Sequence, residues 1–138
     1  MHTMYIRVYR EDVDFSGIVY HTNFIKYMEY GRVELLREHG VDITEFHNDG
    51  VVFAFTGIKC IFRNAARCND IIRLETTFED CTQYQAIFRS DLYNQDGLLL
   101  NRGIAKIVAV NRFTKKAVPL PESFLDVAYK LLKKDKKF

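Results

Sequence analysis

Residues 23–39 read NFIKYMEYGRVELLREH, and their apolar side chains recur at the spacing of an α-helix. Phe24, Met28 and Leu35 fall on one face of that helix, whereas most of the charged residues fall on the other. Later in the chain the period changes. Residues 72–79, IRLETTFE, alternate apolar and polar side chains, as expected of a strand with one buried face. A long helix followed by a run of strands indicates an α+β fold with an antiparallel sheet.

The ends and the middle of this helix carry further signals. Thr22 or Asn23 is expected to cap its start, and Gly40 is expected to close its end. Gly31 lies inside the helix, where glycine costs about 1 kcal/mol relative to alanine. We expect Gly31 to allow a close approach between the helix and the sheet.

Other segments complete the order strand, long helix, four strands, terminal helix. The apolar run at residues 51–62 predicts a strand more fully buried than the others, and an Asp-Gly turn signal precedes the last strand. A second amphipathic helix opens at residues 120–122 and is expected to place Phe124, Ala128 and Leu131 along one side. Because the long helix covers only one face of the sheet, we expect the other face to be partly solvated or to contact another subunit. The predicted strands are residues 3–9, 51–62, 72–79, 84–92 and 98–110.

Length and composition describe one globular domain over residues 1–138. No apolar run approaches the roughly 20 residues that span a bilayer, and the N-terminus lacks the apolar region of a signal peptide, so we expect a cytoplasmic protein. Twenty basic and 18 acidic residues give a net charge of +2, which disfavours a dedicated nucleic-acid binder. Residues 130–138 concentrate five lysines. They indicate a solvated helix end or weak attraction to an anionic partner, such as a phosphate-bearing cofactor or an acidic carrier protein.

The cysteines and histidines do not predict a metal site. Three cysteines, Cys60, Cys68 and Cys81, show no C-x-x-C spacing, and the four histidines form no H-x-x-x-H pattern. We therefore expect no metal.

The stretch DVDFSGIVYH, residues 12–21, precedes the long helix and allows three interpretations. DVDFSG matches the first half of a calcium-binding EF-hand loop, but position twelve is Asn23 instead of a bidentate glutamate. Alternatively, Asp12 and Asp14 satisfy free backbone N–H groups before the helix. The third interpretation is catalytic. A helix N-terminus can polarise a substrate carbonyl, and a nearby carboxylate can activate water or attack that carbonyl.

Residues 9–40 closely resemble the YbgC-type acyl-CoA thioesterases of the 4-hydroxybenzoyl-CoA thioesterase-like family, which has the hotdog fold. The family pattern is close to E-D-T-D-x-x-G-V-V-Y-H-x-x-Y, followed by E-x-x-R-x-E. The chain has EDVD at residues 11–14, GIVYH at residues 17–21, Phe24, and then Glu29, Arg32 and Glu34. FRNAARCNDIIRLET, from residue 62, is similar to the family's A-P-A-R-x-x-D region.

The resemblance implies a hotdog fold, with an antiparallel sheet wrapped around the long helix. It also implies hydrolysis of an acyl-CoA, or of an acyl group on a carrier protein, without a separate cofactor, since coenzyme A is part of the substrate. Asp14 matches the family's catalytic aspartate, as general base or as nucleophile. The carbonyl oxygen would lie against backbone amides near Tyr20 and His21, and the His21 side chain would help to shape and polarise the site.

The resemblance further implies a homodimer or a homotetramer. Arg63 and Arg67 are candidates for the coenzyme A phosphates, since a guanidinium suits phosphate oxygens, although surface ion pairs are the alternative. Asp12 is expected to stabilise the loop, and Glu29 and Arg32 are expected to be structural partners. Arg10 and Phe24 depart from the family pattern at positions that can alter the acyl pocket. Three rival hypotheses remain: a non-catalytic binder of acyl thioesters or carrier protein, a hotdog dehydratase, and a purely structural assembly subunit. The His/Asp or His/Glu placement that a dehydratase needs is not found in the sequence.

Overall fold

The structure, a computed structural model, describes residues 1–135. All strand pairs in its single sheet are antiparallel. The strands are β1 (His2–Arg7), β2 (Val51–Phe62), β3 (Ile71–Cys81), β4 (Gln85–Tyr93), β5 (Leu99–Asn111) and β6 (Ala117–Val118). Their order is β1-β3-β4-β5-β2, and β6 pairs with the end of β5. The α+β prediction is confirmed.

Three helices accompany the sheet: α1 (His21–Glu38), α2 (Ile43–Asn48) and α3 (Glu122–Asp135). The α1 helix packs on β1, β3 and β4. The α2 helix was not predicted, because six residues are too few for a helical period to be recognised. None of the helices within residues 1–135 is long and apolar enough to cross a membrane.

The two ends of α1 differ in how well the sequence predicted them. The end is confirmed, because Gly40 has φ +82° and its N–H donates to the Arg37 carbonyl (3.0 Å), while the Val41 N–H donates to Leu36 (2.9 Å). The predicted start is wrong. Tyr20 occupies the N-cap position, and its side chain makes no hydrogen bond to the helix. The Asn23 side chain donates instead to the backbone carbonyl of Asp12, in the preceding loop.

Gly31 permits the close approach that the sequence predicted. A Cβ atom at Gly31 would overlap Oγ1 of Thr76 and lie 2.9 Å from Cδ2 of Leu74, both on β3. The apolar side of β3, including Leu74, is buried beneath α1 as its alternation predicted. The face of α1 that contains Phe24, Met28 and Gly31 is therefore held directly against the sheet.

The β2 strand corrects a prediction. Its apolar run predicted a strand more fully buried than the others, but β2 lies at the edge of the sheet and, within residues 1–135, pairs only with β5. Phe55 is 53% exposed, and Ile61 and Phe62 are also exposed. An apolar run reports only a preference for burial, whereas position in the sheet is set by non-local pairing.

The terminal helix buries Phe124, Ala128 and Leu131, as the sequence predicted. In the lysine-rich segment, Lys130 and Lys133 are exposed. This agrees with a solvated helix end for these two residues. The predicted lysine cluster also includes residues after Lys133, whose side chains lie outside the part of the chain that the structure describes.

Candidate active site

The loop before α1 folds back on itself and is fixed at several points. Val13 and Val19 form an antiparallel bridge, and the Asp14 N–H donates to the Ile18 carbonyl (2.9 Å). Gly17, at φ +83°, allows the reversal that a residue with a side chain would resist. The bridge between Ile18 and Arg67 attaches the loop to the segment before β3.

Asp14 is half-buried at the turn of this loop, with its carboxylate held in place by local donors. Its Oδ1 atom accepts hydrogen bonds from the Ser16 hydroxyl (2.5 Å), the Ser16 N–H (2.9 Å) and the Ile18 N–H (3.2 Å). The Ser16 hydroxyl contributes most to holding the pKa of Asp14 below its ordinary value, and backbone N–H groups add to this effect. The carboxylate is therefore ionised at neutral pH, and Oδ2 takes part in none of these three bonds.

Asp12 is 7% exposed, and its surroundings differ from those of Asp14. Lys26 Nζ donates to Oδ1 and the Tyr27 hydroxyl donates to Oδ2, both at 2.7 Å. The Asp12 carbonyl accepts from the Asn23 side chain (2.8 Å) and from the Tyr20 N–H (3.2 Å). These contacts attach the loop to the first turns of α1, which agrees with the predicted loop-stabilising role.

The N-terminus of α1 offers free backbone donors beside this loop. The first N–H groups of a helix lack an intrahelical partner, and neither a side-chain cap nor an acidic residue occupies the first turn of α1. The family resemblance predicted that these backbone donors lie near Tyr20 and His21. The Tyr20 N–H, however, is already bonded to the Asp12 carbonyl. The amides of His21 and Thr22 therefore remain as the donors that could meet a substrate oxygen.

The predicted site residue His21 is exposed at the start of α1. Its ring centroid lies 5.1 Å from that of Phe62, at the end of β2, and Phe62 also lies 6.0 Å from Phe24. Within residues 1–135 no hydrogen bond, ion pair or ring contact joins His21 to Asp14, whose three carboxylate bonds stay inside its own loop. Sequence reasoning missed Phe62, because nothing in the local pattern places a distant strand end beside His21.

The predicted substrate-binding side chains lie on the surface, with Tyr20 at the end of the loop and Arg63 directly after the last residue of β2. Tyr20 and Arg63 are exposed, as is Arg67, which the loop contacts through Ile18. Within the part of the chain that the structure describes, neither arginine side chain forms an ion pair within 4 Å. The surface ion pairs considered as their alternative role are therefore not observed there.

An open recess of about 450 Å³ lies on the Asp14 side of the loop. Its lining residues are Arg10, Val13, Asp14, Phe15, Gly17 and Cys68. Arg10, one of the departures from the family pattern, therefore borders the same space as Asp14. Cys68 was not predicted to lie here, because the sequence pattern does not reveal which residues the Ile18 bridge brings together.

No group of three or more His, Cys, Asp or Glu side chains within residues 1–135 is arranged to hold a metal ion. The reactive groups that the structure does show are the ionised carboxylate of Asp14 and the backbone amides of His21 and Thr22. The expectations of no metal and no separate cofactor stay predictions.

Comparison with known proteins gives a consistent family. The model of the thioesterase-like superfamily matches residues 8–128. The acyl-CoA thioesterase YbgC of Helicobacter pylori is 29% identical over 132 residues, which cover 90% of this chain and 97% of that protein. The acyl-CoA thioester hydrolase YbgC of Escherichia coli O6:H1 is 28% identical over 120 residues, 87% of this chain and 90% of that protein.

Solved structures agree on the architecture. DHNA-CoA thioesterase from Staphylococcus aureus matches with a TM-score of 0.89 at 18% identity, over 99% of this chain and 95% of that chain. A 1,4-dihydroxy-2-naphthoyl-CoA thioesterase from Synechocystis matches with a TM-score of 0.86 at 19% identity, over 94% of this chain and 96% of that chain. The predicted hotdog fold is confirmed.

Proposed function

Because the chain belongs to the thioesterase-like superfamily, we propose that it hydrolyses acyl-CoA thioesters to a free acid and coenzyme A, with Asp14 as the reacting carboxylate. The observation that carries this proposal is the position of Asp14, an ionised and anchored carboxylate in the loop attached to the free N-terminus of α1. The names of the YbgC relatives, all of them acyl-CoA thioesterases or thioester hydrolases, support the same substrate class.

The helix N-terminus supplies the electrophilic half of the mechanism. A thioester carbonyl oxygen placed against the N–H groups of His21 and Thr22 would gain stabilisation as negative charge develops on it. The amides are fixed before the substrate arrives, because the contacts of Asp12 hold the loop to the helix. His21 and Phe62 would then form a wall of the site, and Tyr20 would lie at its rim.

Asp14 supplies the other half by one of two routes. As a general base, it removes a proton from water, whose oxygen attacks the carbonyl carbon. As a nucleophile, it attacks that carbon itself and forms an anhydride that water then hydrolyses. In both routes the carbon–sulfur bond breaks, the coenzyme A thiol leaves with a proton, and the acid is released.

The remaining contacts with substrate and partner belong to the same proposal. Arg63 and Arg67 are exposed and form no ion pair within residues 1–135, so both guanidinium groups are available to the phosphates of the coenzyme A moiety. An acyl carrier protein is the alternative carrier.

A homodimer would form by pairing the free edge of β2 with a second copy, and a tetramer would need a further surface. The single-domain assignment of residues 1–138 and the cytoplasmic location stay predictions.

Substituting Asp14 tests the mechanism. In Asp14→Asn we expect hydrolysis of acyl-CoA esters to fall by about 10²–10⁴-fold while the fold is retained, because an amide is neither a base nor a nucleophile. The measurement is free-thiol release from short, long and aromatic acyl-CoA esters, with circular dichroism as the check on folding. Wild-type activity should decline only at acid pH, since the pKa of Asp14 lies below its ordinary value.

The matched control is Asp42→Asn. Asp42 has the same local arrangement, because its Oδ1 accepts from the Thr44 N–H (3.0 Å) and hydroxyl (2.6 Å), but it caps α2 and is not part of the loop before α1. Its substitution should leave turnover within about twofold of wild type. Full activity in Asp14→Asn would refute the role of Asp14. A wild type that binds acyl-CoA without any turnover would instead identify the non-catalytic binder.

A further inference from the structure

Arg32 is a buried cation for which residues 1–135 provide no hydrogen-bond or ion-pair partner. The residue is 7% exposed, and its Nη1 atom is buried with no hydrogen bond. Within residues 1–135 its guanidinium forms no ion pair within 4 Å. Burial lowers the pKa of Arg32, and the charge of Glu29 opposes this only in part. The side chain nevertheless stays protonated at neutral pH. The predicted partnership of Glu29 and Arg32 is thus an electrostatic attraction at a distance, without a hydrogen bond or an ion pair within 4 Å.

The Arg32 side chain lines a cavity between α1, β2 and α3. The volume of the cavity is about 70 Å³, several times the roughly 10–15 Å³ that a single water molecule needs. The other walls are mainly apolar and include four aromatic rings: Phe53, Phe55, Phe88 and Phe124. A charged donor and aromatic walls therefore surround one space.

The cavity can be reached from the surface. A groove of about 490 Å³ runs beside α2 and shares Glu29, Val33, Ile43 and Phe53 with the cavity lining. Glu29 is exposed at this shared edge. The cavity is also remote from the helix N-terminus, because Arg32 follows His21 by eleven residues, or about 16 Å along α1.

We propose that this cavity binds a small organic acid, whose carboxylate accepts hydrogen bonds from the Arg32 guanidinium and whose apolar body packs against the aromatic rings. A carboxylate matches the planar donor fork of arginine and supplies the missing charge partner. The ligand can be a free acid or the carboxylate end of an acyl group, since both present the same chemistry. The site is independent of the proposed hydrolysis, because no part of this inference uses Asp14.

The first experiment measures binding of acids by titration calorimetry. The probes are hexanoate and phenylacetate, each compared with its neutral amide. We expect the amides to bind at least tenfold more weakly than the acids, and Arg32→Met to lower acid affinity by at least tenfold. Arg32→Lys should retain part of the affinity, because it keeps the charge. Arg37→Met, on the exposed side of the same helix, is the matched control and should bind as wild type does.

Several results would overturn the site. They are no acid binding by wild type, equal binding of acid and amide, or unchanged acid affinity in Arg32→Met. A change in oligomeric state in Arg32→Met without a change in acid binding would instead assign Arg32 to a contact with a second copy. Replacement of a buried charge by an apolar side chain of similar size is usually tolerated. If Arg32→Met does not fold, Arg32→Lys and the acid–amide comparison decide the question.

A second experiment distinguishes a free acid from an acyl group as the ligand of Arg32. It also tests the acid site separately from the proposed hydrolysis. Hydrolysis of hexadecanedioyl-CoA, whose terminal carboxylate is far enough from the thioester to reach Arg32 from the N-terminus of α1, is compared with that of hexadecanoyl-CoA in wild type and Arg32→Met. A loss of kcat/KM confined to hexadecanedioyl-CoA identifies the acyl group as the ligand, whereas unchanged rates together with acid binding identify a free acid. Acid binding without any hydrolysis would refute only the thioesterase proposal, and hydrolysis without acid binding would refute only this site.

Discussion

At the scale of single residues, Asp12 and Asp14 show how two carboxylates two positions apart acquire different properties. Asp12 is buried and bonded to side chains of α1, whereas Asp14 accepts hydrogen bonds from its own loop and borders an open recess. A buried carboxylate with two side-chain donors contributes to stability. A carboxylate beside an open space, with an oxygen outside its anchoring bonds, is the one that can meet a substrate.

The contribution of Asp12 to stability should depend on pH. Burial alone raises the pKa of Asp12, but the hydrogen bonds from Lys26 and Tyr27 outweigh it and hold the pKa below its ordinary value of 3.8. Because the folded-state pKa lies below the unfolded one, this contribution is complete above about pH 3.8 and is lost as the pH falls through the folded-state value. We expect Asp12→Asn to lower the free energy of unfolding by about 1–3 kcal/mol at pH 7.

Urea unfolding of wild type and Asp12→Asn at pH 7, 5, 4 and 3 measures this dependence. The difference between the two proteins should be constant from pH 7 to pH 5 and should shrink at pH 3. Tyr27→Phe, which removes one donor and keeps the charge pair with Lys26, is the control and should give a smaller loss. A difference that does not change with pH would show that the charge of Asp12 contributes nothing.

At the scale of elements, α1 is defined both by its own sequence and by the strand beneath it. Its end follows local rules, since Gly40 adopts the left-handed conformation that closes a helix. Its middle follows the sheet. Gly31 is unfavourable in an isolated helix, but any larger residue there would meet Thr76 and Leu74. The interface with β3 therefore decides which residue is tolerated.

Substitution of Gly31 should reverse the usual effect of alanine in a helix. We expect Gly31→Ala to lower the free energy of unfolding by about 1–3 kcal/mol, because the added methyl group must displace β3 or the helix. Denaturant unfolding measures the change. The double variant Gly31→Ala/Thr76→Ala should recover part of the loss, since it removes the Oγ1 atom nearest to the new methyl group. A stabilised Gly31→Ala would show that the helix can move outward at no cost.

At the scale of the whole molecule, β2 is the feature that a single copy leaves incomplete. Its twelve residues form an edge strand whose only partner strand in the described chain is β5. Long apolar edge strands favour pairing with another chain. The exposed Phe55, Ile61 and Phe62 would then be covered by a second copy, in agreement with the proposed homodimer.

A charge on this edge should weaken the homodimer. We expect wild type to sediment with twice the mass of one chain, and Phe55→Lys to raise the dimer dissociation constant by at least tenfold, because lysine on an edge strand opposes pairing. Analytical ultracentrifugation over a concentration series measures both. Phe113→Lys is the matched control, because Phe113 is 75% exposed but lies outside the strands. A monomeric wild type would refute the proposed interface.

The sequence alone determined the elements that follow local rules. The 3.6-residue period of α1, the alternation of β3 and the closure at Gly40 depend on residues close together in the chain. The loop around Asp14 was also predictable, because its turn glycine and its acidic residues are neighbours and the family pattern is continuous there. Asp14, His21, Arg63 and Arg67 could therefore be selected as candidates before any contact was known.

Only the tertiary structure decided the features that depend on distant segments. The apolar run of β2 became an exposed edge, since strand order is set by pairing across the sheet. Phe62 came to lie beside His21, and Arg32 came to line an apolar cavity with Phe53, because folding brought separate elements together. The helix start moved to His21 since contacts between the Asp12 loop and α1 replaced a local cap. Local patterns encode which side chains prefer burial, whereas the partners they meet depend on long-range packing.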